Sequence, residues 1–187
     1  MRIDSVELRE VVLDLLTPFE TSFGRTTVRR IILVAVRSGD AVGWGECTAG
    51  EQPDFSDEFT DGAWQTIRHV VAPRVVGAEV ESAAAVAPLL ATIRGNRMAR
   101  AAVETAIWDL EAKLAGVPLH ALLGGVRARI ECGVSIGLQD SIDALLEKVE
   151  REVSAGYRRI KLKIAPGRDV SLVEAVRDRF GDIVLSV

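Results

Sequence analysis

The part of the sequence that most constrains the fold lies after Arg127, where short apolar strands and helices alternate. Ile130 to Gly137 reads as a strand; Asp140 or Ser141 caps a helix to about Ala155, and Gly156 stops it. Tyr157 to Ile164 is a second strand, followed by a loop at Ala165-Pro166-Gly167. Asp169 or Ser171 starts a helix through Phe180, Gly181 ends it, and Ile183 to Val187 is a third strand. Strands separated by a helix of this length cannot pair as a hairpin. The pattern therefore calls for parallel strands joined by right-handed crossovers.

Alternate residues of a strand face opposite sides. In the second strand of this series Ile160, Leu162 and Ile164 share one face, and Arg159, Lys161 and Lys163 the other. In the first, Cys132, Val134 and Ile136 oppose Gly133, Ser135 and Gly137. If the apolar faces meet the helices, Ser135, Lys161 and Lys163 point to the other side. There, at the carboxyl ends of the strands, barrel active sites are built. Of 23 basic residues only four are lysine (Lys113, Lys148, Lys161 and Lys163), and two of the four stand together here. Lysine can lose its proton, whereas arginine cannot. Neighbouring ammonium groups disfavour one another's charge, the condition for a working general base. The alternative is an exposed edge strand in which the lysines guard against aggregation.

The earlier part reads as sheet, then helices. Val6 to Val11 alternate as a strand that runs into a break at Thr17-Pro18. Residues 30–37 form a β-branched apolar run, Ser38-Gly39-Asp40 turns, and Ala41 to Glu46 returns as the second arm of a hairpin. Thr48 to Asp61 is a long loop, a kind of segment that is often functional. Its acidic residues Asp54, Asp57, Glu58 and Asp61 match no calcium-loop spacing and read as a solvated surface. Helices are expected over about 62–76, interrupted by Pro73, over the Ala-rich 81–93, and over 97–115, closed by Gly116 and Pro118. A short turn over 119–123 ends at Gly124-Gly125. His69 and His120, far apart, read as structural.

The chain has 187 residues and a net charge of −4, which argues against nucleic acid or an anionic membrane as the main partner. No apolar run reaches the roughly 18 residues of a membrane span. Cys47 and Cys132 form no CxxC pattern, so a reduced, cytoplasmic protein is expected. Phosphate-binding glycine loops, GxSxG and HExxH are absent from the sequence.

Several segments in order carry a family resemblance: Thr17-Pro18-Phe19-Glu20-Thr21-Ser22-Phe23-Gly24, Gly43-Trp44-Gly45-Glu46-Cys47, Gly95-Asn96-Arg97-Met98-Ala99-Arg100, Ala106-Ile107-Trp108-Asp109-Leu110, Leu122-Leu123-Gly124-Gly125, Cys132 to Gly137, and Arg159 to Gly167 with its Lys-x-Lys motif. Together they resemble the amino-terminal half of enolase-superfamily enzymes of the muconate-lactonizing subgroup. The nearest resemblance is to the o-succinylbenzoate synthase / N-acylamino acid racemase branch.

The resemblance implies an α+β capping domain over residues 1–127. It implies the first β-α units of a TIM-type (β/α) barrel over 128–187, strands 1–3, with the barrel incomplete in this chain. It also implies Mg²⁺-dependent removal of a proton α to a carboxylate through an enediolate. Lys163 is then the general base, and Lys161 supports it and the substrate carboxylate. Ser135, Phe19, Phe23 and Phe55 line or close the substrate pocket. The family's acidic metal ligands would lie beyond Val187, so the chain alone is expected to be inactive and aggregation-prone. The leading expectation is dehydration to o-succinylbenzoate in menaquinone biosynthesis. The alternative is an N-acylamino acid racemase or dipeptide epimerase. A reading of another class is a truncated, non-catalytic protein that binds a partner through its open sheet edge. The expected partners are a small-molecule carboxylate and further copies of the chain.

Overall fold

The computed structural model describes residues 1–22 and 24–187. Two compact units make up the chain: Met1–Leu13 with Val28–Val126, and Asp14–Thr27 with Arg127–Val187.

In the first unit, strands β1 (Ser5–Thr21), β2 (Gly24–Ser38) and β3 (Ala41–Cys47) are neighbours in that order, with the ends of β1 and β2 counted in the second unit. β2 and β3 pair antiparallel, with Ser38 opposite Ala41 across a two-residue turn. Asp4 fixes that turn by accepting the Gly39 N–H at 2.7 Å. β1 does not break at Thr17-Pro18. It is an edge strand, where a residue without an N–H is tolerated.

The helices follow as α1 (Thr60–Thr66), a π-helical turn (Ile67–Val71) and α2 (Ala72–Val75). The sequence suggested an interruption at Pro73. Instead the helix continues by widening just before it, with the Ala72 N–H reaching back to the Ile67 carbonyl. A widened turn accommodates a ring that crowds the preceding turn and an imide that donates nothing. The Ala-rich segment is less helical than expected: a 3₁₀ turn (Ala83–Ala85), then α3 (Val86–Leu90). Helix α4 (Arg97–Ala115) ends at Gly116 as expected, and α5 (Leu119–Leu122) follows.

Ile32, Val34 and Val36 of β2 are fully buried with Ile67, Val71, Leu90, Val103, Ile107 and Leu110. Each such side chain contributes about 1.5–3 kcal/mol relative to exposure. The packing of α4 on β3 is closer still. A Cβ added to Gly43 would lie 2.0 Å from the Ala106 carbonyl oxygen, and one on Gly45 would lie 2.0 Å from that of Ala102. Glycine on the strand and alanine on the helix let the two backbones meet. At the same place α4 satisfies polar groups of the β3 edge. Asp109 Oδ2 accepts the Trp44 N–H at 2.7 Å, and Lys113 Nζ donates to the Val42 carbonyl at 3.0 Å. The two side chains also pair with each other at 2.6 Å. A sheet edge that would otherwise recruit another strand is closed by a helix.

In the second unit β4 (Gly133–Ile136), β5 (Arg159–Leu162) and β6 (Val184–Ser186) form a parallel sheet in sequence order. They are crossed by α6 (Ile142–Ser154) and α7 (Asp169–Arg179). The Ser141 hydroxyl caps α6 by accepting the Ala144 N–H at 3.1 Å. The core joins Ile136, Ile160 and Leu162 of the sheet to Leu145, Val149, Leu172 and Val176 of the helices. The strands are shorter than the apolar runs suggested, but the ladder continues past β5, where the Lys163 N–H donates to the Ile136 carbonyl at 2.9 Å.

Candidate active site

The parallel register sets two rows of residues on one face of the second sheet. Gly133, Arg159 and Val184 stand side by side, then Ser135, Lys161 and Ser186. The side chains of a row project from one face, and neighbouring strands lie about 4.8 Å apart. On the opposite face Ile160 and Leu162 are fully buried under the helices. Strand parity therefore puts Ser135 and Lys161 together on the face away from the helices, and Lys163 follows Lys161 on that face. Lys161 is exposed and Lys163 half-buried. Among the described residues neither ammonium has a carboxylate within ion-pair distance. Ser186 in the same row was missed from the sequence, although its parity against Leu185 gives the signal.

The turn end of the β1–β2 hairpin belongs to this unit. Phe19 carries its ring to Lys163, whose Nζ lies 5.9 Å from the ring centroid, within cation–π range. The Glu20 carbonyl accepts the Leu138 N–H at 3.1 Å, which seats the hairpin on the segment leaving β4. A cleft of about 380 Å³ runs between them, lined by Thr17, Phe19, Glu20, Ser135, Gly137 and Lys148 among others. The two site lysines are not among its walls.

The third aromatic candidate is placed differently. Phe55 belongs to the first unit, 83% exposed on the loop between Gly50 and Phe59. Phe23 lies outside the described residues.

The loop that carries Phe55 is built firmly at its base. Gly50 and Phe59 form a bridge, and Thr60 donates its N–H to Gly50 at 2.8 Å and its buried hydroxyl to Ala49 at 3.0 Å. The acidic run is the solvated surface that its composition suggested at Asp54, Asp57 and Asp61, which are exposed, but not at Glu58. Glu58 is buried, and its two oxygens accept the N–H groups of Met98 at 2.8 Å and Ala99 at 3.0 Å. It thus supplies the cap of α4 that Asn96, at φ 48°, does not. Asp61 is bound by Arg30, which also pairs with Glu51 at 3.3 Å. Cys47 is buried beside this base. Burial pushes its thiol up, a backbone hydrogen bond from Ala49 opposes this, and the charges of Glu58 and Glu46 add to the rise. His69 and His120 are both exposed on helices.

Residues 4–124 match the N-terminal domain of the mandelate racemase / muconate lactonizing enzyme family. The chain belongs to that family. Relatives named o-succinylbenzoate synthase and N-succinylamino acid racemase match nearly the whole of it. It is 46% identical to an N-succinylamino acid racemase of an Amycolatopsis species and 44% identical to an o-succinylbenzoate synthase of Geobacillus kaustophilus. Both alignments cover 99% of the chain and 50% of the relative. Among solved structures, an enolase-superfamily member from Listeria innocua superposes with a TM-score of 0.93 at 35% identity, over 99% of this chain and 50% of that one. A dipeptide epimerase from Enterococcus faecalis, complexed with Mg and the dipeptide L-Leu-L-Tyr, does so with a TM-score of 0.89 at 25% identity, over 99% and 52%. The chain thus spans about half the length of the relatives it matches.

The first unit has the α+β build of the family's capping domain, and the second holds parallel β-α units that do not close into a barrel. Among the described residues no group of three or more His, Cys, Asp or Glu side chains is placed to hold a metal ion. These residues do not make the metal centre that the family resemblance implies. No helix among them is long and apolar enough to cross a membrane.

Proposed function

We propose that the complete protein containing these residues removes a proton α to a carboxylate, with Lys163 as the general base and Lys161 as the cation that supports it and the substrate carboxylate. The observation that carries this reading is the placement of the two lysines with Ser135. All three project from the face opposite the helices, at the carboxyl end of parallel strands, where side chains from several strands converge. A lysine whose ammonium has no fixed counter-charge can take up and release a proton at substrate. Ser135, in register with Lys161, would line the same pocket.

Proton abstraction begins both reactions named among the relatives. Loss of water from the resulting enediolate gives o-succinylbenzoate, our leading reading. Return of the proton on the other side gives racemisation of an N-succinylamino acid, which the 46% identical Amycolatopsis relative favours as the alternative. We carry Mg²⁺ as a requirement of the complete protein, on the likeness to the Mg-complexed epimerase, and assign none of its ligands to these residues.

The test uses the complete protein with both substrates and follows exchange of the α-proton in D₂O. Lys163→Ala is expected to lower exchange by about 10²–10⁴-fold, the usual contribution of a positioned base. Full exchange in that variant would overturn the assignment. The ratio of dehydration to racemisation rates decides between the two reactions.

A further inference from the structure

We propose that Gly137 is a positioning residue for Lys163, because it is the seat on which the β1–β2 hairpin end docks and so holds the Phe19 ring against the lysine. The argument begins with an absent side chain. A Cβ on Gly137 would lie 3.1 Å from the Glu20 carbonyl oxygen, 3.2 Å from the Glu20 nitrogen and 3.8 Å from Phe19 Cδ2. The first two distances are tighter than ordinary van der Waals contact, and both atoms belong to backbone that cannot swing aside like a long side chain.

Next to this contact the Leu138 N–H donates to the Glu20 carbonyl at 3.1 Å. One residue of the hairpin is therefore held from two sides, by close approach at Gly137 and by a hydrogen bond at Leu138. Glu20 adjoins Phe19, and Phe19 reaches Lys163 Nζ at 5.9 Å. The chain of contacts closes through the sheet, because the Lys163 N–H donates to the Ile136 carbonyl at 2.9 Å, one residue before Gly137.

Gly137 thus serves two elements at once. It continues β4 beside Lys163, and it leaves room for the hairpin that covers Lys163. A side chain at position 137 would push Glu20 outward and carry Phe19 with it. The ammonium would then lose its aromatic neighbour while the β5 backbone stayed in place. The catalytic meaning of this device rests on Lys163 being the base, but the contact itself does not.

The test measures the contact first and activity second, on the complete protein. Lys163 acylation by acetic anhydride is followed by peptide mass spectrometry, with Lys113 as the internal standard, and amide exchange is followed at Leu138. Gly137→Ala is expected to speed Leu138 exchange and to raise Lys163 acylation about two- to fivefold, the equivalent of an exposed cation–π contact. Phe19→Leu is expected to raise acylation by the same factor and to leave Leu138 exchange unchanged. Unchanged Lys163 acylation in Phe19→Leu, or unchanged Leu138 exchange in a folded Gly137→Ala, overturns the proposal. If Gly137→Ala does not fold, Phe19→Leu decides alone. Altered acylation in a protein with no α-proton exchange activity would remove the proposed function and leave this docking intact.

Discussion

Glu58 closes the amino end of α4 by accepting the Ala99 N–H at 3.0 Å, while its second oxygen takes the Met98 N–H at 2.8 Å. A buried carboxylate here answers two amides that the helix cannot satisfy itself, and it sits at the positive end of the helix dipole. Glu58→Gln keeps the size but removes the charge and turns one acceptor into a donor facing an amide. The expected cost is about 1–3 kcal/mol. In a chain of this size that lowers Tm by about 2–4 °C per kcal/mol, readable by thermal denaturation. An unchanged Tm would mean that water replaces the cap.

A second prediction concerns Gly45. An alanine methyl there would sit 2.0 Å from the Ala102 carbonyl oxygen and 2.8 Å from Thr105 Oγ1. Helix α4 would have to lift off β3, weakening the hydrogen bond from Trp44 to Asp109 on the same strand. Overpacking a tight core costs about 1–3 kcal/mol and occasionally more. Gly45→Ala should fall at or above the top of that range in a urea titration. Gly24→Ala, on β2 where a Cβ meets nothing within 4 Å, provides a control for the backbone term alone.

These two sites show where the sequence is easy and hard to read. The β-α-β rhythm and the Ile160/Leu162 against Lys161/Lys163 parity are local and periodic, so the sheet and the lysine face follow from the sequence by itself. Glu58 is different, because its partners lie 40 and 41 residues away. In the sequence it sits among Asp54, Asp57 and Asp61 as one more acidic loop residue, and nothing local separates the buried one from the exposed ones. The two glycines of Gly43-Trp44-Gly45 were legible as a motif, but their reason, contact with Ala102 and Ala106, is equally long-range. Pro18 misled because proline forbids a central strand and not an edge.

The two cysteines should separate cleanly. Cys47 is buried and Cys132 exposed. Native protein should release one equivalent from a disulfide reagent, and the second only in denaturant. Burial raises the Cys47 thiol above its ordinary value, so the folded state holds that proton more tightly than the unfolded chain. The sign follows: this stabilisation is complete below the unfolded thiol's range, near pH 8.5, and is lost as pH rises through the folded value. Cys47→Ala should therefore flatten the alkaline fall in stability relative to the unsubstituted protein. Two fast thiols at neutral pH would show that the base of the Gly50–Phe59 loop opens readily.

Lys161 and Leu162 are adjacent in sequence and point to opposite faces, so they allow fold and chemistry to be tested separately. Leu162 is 1% exposed and packed with Ile136, Ile160 and the two crossing helices. Leu162→Ala removes three methylene-sized groups from a closed core and should cost about 2–5 kcal/mol. Lys161 is exposed and makes no ion pair among the described residues, so Lys161→Ala should change stability by less than about 0.5 kcal/mol. In the complete protein the order reverses for catalysis. Folded Leu162→Ala should keep most of its α-proton exchange, while Lys161→Ala should lose most of it with Tm unchanged. The measurements are urea denaturation and exchange in D₂O on the same samples. A Lys161→Ala variant that loses stability and activity together would mean that the lysine face serves the fold, and the assignment of Lys161 as a support for the base would fall.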